Sequence, residues 1–488
     1  MCHALFFIMA NILIGSQPFF FDLITFPFAV APHFSDNRAM SLGRSIPAQR
    51  ILVFMPNPLG DAVMATPFLK ALRILYPQAH ISAIGGRLAQ TVLSGLPVID
   101  QAMEYSISED GTSIDAAATV SLLAKTKFDL AVLLPNNFRT AMIAHRAGIP
   151  NRLGYARDGR RFLLTDFLRP IRRSDDETQL QWARNKAIEF IATEKRHGTP
   201  IAAQSEVLAV TPDPDQPGQW IFTVQQPNGS VTTTTARMSS IERFAARWHN
   251  FQPTPAIDYY MALAHYLGSH YNQRKMILGI TPTESQQALD ALSQMAIADG
   301  QPFVILVPGA SFGSSKCWPI EYFAQITAAI IDPGGPFNAR VLIAAAPAEQ
   351  PIVDALLKLI ATAASRFFSP HLAPLHRPVV PLSLANDGQG IALGSLKEIV
   401  RRAAVMLCND TGPRHFAAAL NTPLVSLFGP TDPRWADVFY DKEIQLHLPV
   451  PCGPCQRKRC PIDHRCMNRL TVPMVHAALL RQWEVAKR

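Results

Sequence analysis

Residues 407–433, LCNDTGPRHFAAALNTPLVSLFGPTDP, hold two apolar segments, and each is closed by a polar, turn-forming cluster. VMLCND (405–410) reads as a strand, Asp410-Thr411-Gly412 as its exit loop, and Pro413 suits the first turn of a following helix. PLVSLFGP (423–430) reads as the next strand. In an open parallel sheet, ligands bind beyond the carboxyl ends of the strands, where loops enter helix N-termini. Such an N-terminus offers free N–H groups and positive potential to an anion. Gly412 permits close backbone approach, and Asp410 and His415 can face the same ligand. The polar clusters therefore fall where a ligand belongs.

The same alternation runs outward in both directions. RILVFMP, HISAIG and FDLAVLLP read as buried strands, with DAVMATPFLKALRILYP and TAMIAHRAG as helices between or after them. The pattern restarts with PFVILVPGA, RVLIAAAP, VMLCND and PLVSLFGP, separated by helices such as PIEYFAQITAAII and SLKEIVRRAA. Short apolar runs alternating with helices indicate parallel βαβ units. Two such series predict an α/β protein with two doubly wound domains facing across a cleft. We place the first at 48–285 and the second at 286–475, with a C-terminal helix at 476–488. QWIFTVQQPNGSVTTTTARM breaks the pattern and reads as a β-hairpin around Asn228-Gly229. It is expected to belong to an insertion into the first domain at about 185–250.

With 488 residues, 48% hydrophobic and 17% charged, the chain is folded rather than disordered and long enough for two cores. Its net charge of +8 favours anionic partners, but it is diffuse and no nucleic-acid motif accompanies it, so nucleic acid is not expected. Four of the seven cysteines lie within 452–466, which argues against a chain-wide disulfide framework and for the cytoplasm. Residues 1–47 form a leader. Its Phe-rich part is not preceded by Lys or Arg and is interrupted by Gln17, Pro18, Asp22 and Pro27, which fits neither a signal peptide nor a spanning helix well. A dispensable or wrongly assigned start before Met40 and a membrane-associating segment are the two main readings.

Three strand exits carry the chemistry. In PNPLGDAVMATP (56–67), Asp61 is either a helix N-cap or a functional carboxylate beside Gly60. PGASFGSSKCWP (308–319) supplies backbone amides, the Ser311 and Ser315 hydroxyls and the Lys316 ammonium. These suit a phosphate cradle or an ordinary solvated loop. The third is the opening stretch itself. A further cluster, Cys452, Cys455, Cys460 and Cys466, could bind a structural zinc ion, hold an iron–sulfur cluster, pair as disulfides or stay reduced. Arg457 and Arg459 crowd that loop, either as a solvated face or as contacts to an anionic acceptor.

PNPLGDAVMATPFLKALRILYP, GASFGSSKCWP, NDTGPRHFAAALNTPLVSLFGPTDP and CGPCQRKRCPIDHRCM together resemble, in order, the ADP-heptose:lipopolysaccharide heptosyltransferases of glycosyltransferase family 9. The last motif is similar to the heptosyltransferase II branch. The resemblance covers about 48–175 and 255–480. It implies the GT-B architecture and an inverting, metal-independent transferase. The acceptor, the lipopolysaccharide inner core, would bind the first domain at the cytoplasmic face of the inner membrane, and the second domain would hold ADP-heptose. By the same resemblance Asp61 is the general base, Lys316 a donor-phosphate contact, and Asp410, Thr411, Gly412 and His415 the donor loop. A relative using another nucleotide sugar, or a non-catalytic nucleotide- or carbohydrate-binding protein, are the alternatives. Arg414 departs from the family pattern and would touch a phosphate or point to solvent. Cys317 departs too and reads as a packing thiol.

Overall fold

The computed structural model describes residues 45–108, 113–196, 206–225, 229–240, 242, 251–365, 378–384 and 391–487. The leader up to residue 44 and Asn228 of the hairpin turn lie outside them. Residues 45–47, assigned to the leader above, instead join the fold. Ile46 is buried in the core, and its carbonyl accepts a hydrogen bond from the Tyr76 hydroxyl at 2.8 Å.

The first sheet contains β1 (Arg50–Phe54), β2 (His80–Gly85), β3 (Gln101–Glu104), β4 (Leu130–Leu133), β5 (Asn151–Tyr155) and β6 (Asp166–Leu168), in the order β3-β2-β1-β4-β5-β6. After helix Asp175–Arg196 come β7 (Glu206–Pro212), β8 (Gln219–Gln225) and β9 (Val231–Arg237), an antiparallel three-stranded sheet. The second large sheet has β10 (Phe303–Val307), β11 (Arg340–Ala345), β12 (Val379–Ser383), β13 (Val405–Asn409), β14 (Leu424–Phe428) and β15 (Glu443–His447), in the order β12-β11-β10-β13-β14-β15. Both large sheets are parallel throughout. Each reverses its winding between its first and fourth strands, β1 and β4 in one and β10 and β13 in the other, which is where such sheets open a crevice.

Side chains along a strand alternate between faces, and a parallel sheet is covered on both. Ile51 and Val53 of β1 enter one apolar cluster while Leu52 and Phe54 enter another. Likewise Phe303, Ile305 and Val307 of β10 face inward, and Val304 and Leu306 outward. The inner cluster is continuous between the halves, taking Phe68 and Leu263 from the first and Ile399 and Phe416 from the second. A fully buried Lys397 pins the junction: its Nζ meets Glu284 Oε1 at 2.9 Å and donates to the carbonyls of Thr91 and Ser94.

The insertion differs from expectation in extent and placement. It starts at Asp175, where a 22-residue helix precedes the strands, and β7 adds to the expected β8–β9 pair. Trp220, Phe222 and Val224, alternate residues of β8, pack on Ala183, Ala187 and Ile191 of that helix. Ile462, from the cysteine-rich loop of the second half, packs against the same cluster. Gln181 Nε2 donates to the Pro454 carbonyl at 2.9 Å, and Arg465 Nη1 to that of Val207. A segment assigned to the first half thus rests on the second. The C-terminal helix begins at Val472 rather than 476 and buries Val475, Leu479 and Trp483 in the outer core of the second sheet.

Candidate active site

The strand exits of the two large sheets converge on a cavity of about 1280 Å³. Its walls include Gly60 and Asp61 after β1, Ser311, Phe312 and Lys316 after β10, and Asp410, Thr411, Gly412 and His415 after β13. The structure therefore brings together three loops that are far apart in the chain, those after β1, β10 and β13.

At the β1 exit, the run read as one helix is two, Leu59–Met64 and Thr66–Leu75. The N-cap of the first is Pro58, in extended conformation, and Asp61 is its third residue. The N-cap reading of Asp61 is thereby corrected: its carboxyl makes no capping bond and lines the cavity. Burial, with the Asp410 carboxylate nearby and Lys316 only partly offsetting both, pushes the Asp61 pKa up to about 6. A carboxylate so placed accepts a proton readily near neutral pH.

Lys316 ends a short turn, Ser314–Lys316, and its Nζ lies 2.6 Å from Asp410 Oδ2 and 4.9 Å from the centre of the Phe312 ring. Asp410 also accepts from Thr431 Oγ1 at 2.8 Å. Burial alone would raise the Asp410 pKa, but Lys316 and Arg414 outweigh it and hold the carboxyl below its ordinary value. The site thus sets a carboxyl that titrates near pH 6 beside one kept ionised. Asn409 fixes the frame beneath them, donating to the Pro308 carbonyl at 2.7 Å and accepting from the Trp318 amide.

Thr411 is the N-cap of helix Gly412–Ala419, with Pro413 in its first turn, so the helix start opens toward the cavity as expected. His415 is buried in that helix, and burial followed by the charge of Arg414 lowers its pKa to about 4. It is neutral at pH 7, with Nδ1 3.3 Å from the Gly412 carbonyl and Nε2 lacking a hydrogen-bond partner among the described residues.

Several expected residues stand elsewhere. Ser315 is buried and donates to the Arg457 carbonyl at 2.5 Å, tying the turn to the cysteine-rich loop rather than facing the cavity. Arg457 pairs with Glu189 of the inserted helix at 3.4 Å, and Arg459 is exposed; neither lines the cavity. Arg414 faces neither the cavity nor solvent. It is fully buried, forked onto Glu443 at 2.6 and 2.8 Å, and donates to the Ala436 carbonyl. Cys317 is half-buried and burial raises its pKa, which disfavours a nucleophilic thiolate.

The cysteines of 452–466 are free thiols, and burial, reinforced by their mutual proximity, raises the pKa of Cys452 to about 11 and of Cys466 to about 12. Among the described residues no three His, Cys, Asp or Glu side chains are grouped to hold a metal ion. Cys452 and Cys466 instead join the outer apolar core of the second sheet.

Other cavity residues escaped the sequence reading. Glu349 follows β11, the position from which doubly wound folds present a carboxylate to a ribose hydroxyl. An acidic residue just beyond an apolar strand was the available signal. Gln181, Trp182 and Asn185 from the inserted helix close another wall, near Arg157, whose guanidinium lies 3.9 Å over Phe251. No local pattern marked these, because the insertion's placement is a long-range matter.

The model of glycosyltransferase family 9 (heptosyltransferase) matches residues 231–374 and 388–465. The lipopolysaccharide heptosyltransferase 2 of Escherichia coli K12 is 23% identical over 385 residues, 79% of this chain and 84% of that one. The lipooligosaccharide heptosyltransferase 2 of Haemophilus influenzae is 20% identical over 399 residues, 82% and 88% of the two chains. Among solved structures, the E. coli ADP-heptose heptosyltransferase II superposes with a TM-score of 0.57 at 20% identity, covering 90% of this chain and all of that one. A family 9 glycosyltransferase from Veillonella parvula gives 0.56 at 18% identity, covering 83% and 88%. These superpositions bear out the α/β, GT-B architecture.

Proposed function

We propose that this chain is a family 9 glycosyltransferase and that it transfers heptose from ADP-heptose to the inner core of lipopolysaccharide, with inversion, at the cytoplasmic face of the inner membrane. The observation that carries this reading is the Asp61 carboxyl, titrating near pH 6, in one cavity with the Lys316–Asp410 pair.

In inverting transfer an acceptor hydroxyl attacks the anomeric carbon, its proton passes to a base, and the nucleoside diphosphate departs. Asp61 would take the proton, a role typically worth ~10²–10⁴-fold. Negative charge grows on the departing diphosphate, and Lys316 together with the Thr411–Gly412 helix start would meet it without a cofactor. Glu349 would hold the ribose. The acceptor would lie on the Asp61 side, between Arg157 and the inserted helix. Because the acceptor is lipid-borne, the enzyme would work in peripheral contact with the membrane. Among the described residues no helix is long and apolar enough to cross it.

The test pairs calorimetric titration of ADP, UDP, GDP and CMP with a transfer assay using ADP-heptose. Selective ADP binding that is weakened in Lys316→Ala, with transfer lost in Asp61→Asn, supports the assignment. Preference for UDP or GDP would replace the donor, and transfer surviving in Asp61→Asn would remove the base.

A further inference from the structure

The cavity does not account for the aromatic and basic residues outside it, on the loops after β4 and β5. Phe162 is 69% exposed and Phe138 40%, with ring centres 5.9 Å apart. Their pairing is built into the fold. Arg160 is fully buried and donates to the carbonyls of Pro135, Asn137 and Tyr155 and to Asn136 Oδ1. One guanidinium therefore clamps the loop that leads into Phe138 to the turn that carries Phe162. A protein that holds two phenylalanines side by side in water, with a buried cation as the brace, has arranged a surface rather than left two side chains uncovered.

Cations surround the pair. Arg139 follows Phe138, Arg161 precedes Phe162, and both are exposed. The Arg161 guanidinium lies 3.8 Å over the Phe167 ring, and exposed Arg169 stands 6.0 Å from the same ring. Arg139, Arg161 and Arg169 form no ion pair among the described residues. Aromatic rings seat at the headgroup level of a bilayer, and guanidinium groups seek its phosphates. A second copy of this chain meeting the patch about a two-fold axis would set these arginines against their own copies. Charge complementarity selects an anionic lipid surface.

We propose that Phe138 and Phe162, with Arg139, Arg161 and Arg169, form the surface by which this protein docks on an anionic bilayer. Phe138 and Arg139 follow the carboxyl end of β4 and Arg169 that of β6, the edge of the first sheet that also carries Asp61, and the loop after β5 lines the cavity with Arg157 and exposes Phe162. Docking would bring the acceptor side of the cavity to the lipid surface. That purpose rests on the transferase reading, whereas the binding itself does not.

The full chain would be sedimented with vesicles of phosphatidylglycerol and phosphatidylethanolamine, and with phosphatidylcholine alone, at low and high salt. The expected result is partition onto the anionic vesicles only, weakened by salt. Phe138→Ala/Phe162→Ala should lower it ~10-fold, and Arg139→Glu/Arg161→Glu/Arg169→Glu ~100-fold or more, at about fivefold for each cation removed and further for each reversal. ADP affinity, unchanged in both, confirms folding. No binding by the full chain overturns the proposal, as does equal binding to neutral vesicles or full binding by both variants. A water-soluble acceptor fragment separates the two ideas. If no variant or wild type transfers to it, the transferase reading fails while the partition data still decide the docking surface.

Discussion

Gly60 lies so close to His415 that a Cβ on it would stand 2.6 Å from the imidazole Cε1 and 2.7 Å from Nδ1. The two residues belong to the first turns of helices from opposite halves, Leu59–Met64 and Gly412–Ala419. The contact is reciprocal, for a Cβ on Gly412 would meet Leu59 Cδ2 at 3.0 Å. Bare backbone on both sides lets the two helix starts meet nose to nose at the cavity. His415 is itself buried and cannot swing aside freely. Gly60→Ala should therefore either part the halves or strain the junction, at about 1–3 kcal/mol. Thermal unfolding and transfer rate would be measured together, and a variant normal in both would mean that the junction yields easily.

Asp61 sets a pH limb. Below about 6 its carboxyl is protonated and cannot accept the acceptor's proton. The rate should climb about tenfold per pH unit up to that point and then level off. Stability carries the opposite sign. A carboxyl whose pKa is raised by folding binds more protons folded than unfolded, so the protein loses stability as pH rises from its ordinary value of 3.8 through about 6. Asp61→Asn lacks that loss and should be about 1–2 kcal/mol more stable than wild type at pH 7, the full shift being reduced by partial exposure. A rate profile flat from pH 5 to 8 would contradict the assignment.

The Lys316–Asp410 pair has two roles that can be separated. Lys316→Met deprives the buried Asp410 carboxylate of its ion-pair partner and should cost about 3 kcal/mol. Adding Asp410→Asn should restore most of the stability, yet ADP affinity should stay low, because the ammonium proposed to meet the diphosphate is still missing. Restored affinity in the double variant would show that Lys316 serves only as Asp410's partner.

Arg414 should behave as a structural residue. Its fork onto Glu443 is buried on both sides, and Ser426 completes the Glu443 carboxylate at 2.5 Å. Arg414→Met should lose about 3–5 kcal/mol. Arg414→Lys should fall well short of wild type, since an ammonium cannot fork onto a carboxylate and reach the Ala436 carbonyl as well. Urea unfolding would measure both, and a lysine variant of wild-type stability would refute the geometric argument.

Trp182 tests the inserted wall. Trp182→Ala should raise the acceptor KM about tenfold while leaving ADP affinity unchanged, because Trp182 lines the cavity from the inserted helix, the wall proposed to receive the acceptor. A loss of ADP affinity instead would move the donor to that wall.

The central strands were plain in the sequence because burial on both faces leaves continuous apolar runs: RILVF, FVILV and LVSLF are buried almost without interruption. The edge strands β3, β6 and β15 were not, since QAME, DFL and EIQLH are partly exposed and carry no such run. Asp61, Lys316 and Asp410 could be found from turn chemistry after those central strands. Arg414 was misread because its partner Glu443 lies 29 residues on, in an edge strand no local pattern revealed. Ser315 failed similarly, its hydroxyl being claimed by a carbonyl 142 residues away.

The inserted segment has a topological consequence. Covalently it hangs between β6 and the remainder of the first half, yet its apolar face is completed by Ile462 and its polar edge by Pro454 and Arg457. It works as a buckle on a belt, fastening a loop of one half to the rim of the other. Expressing residues 48–285 and 286–488 as separate pieces would therefore strip a fitted surface from each. Any widening of the cleft would have to slide or break the contacts that the buckle makes at Ile462, Pro454 and Arg457.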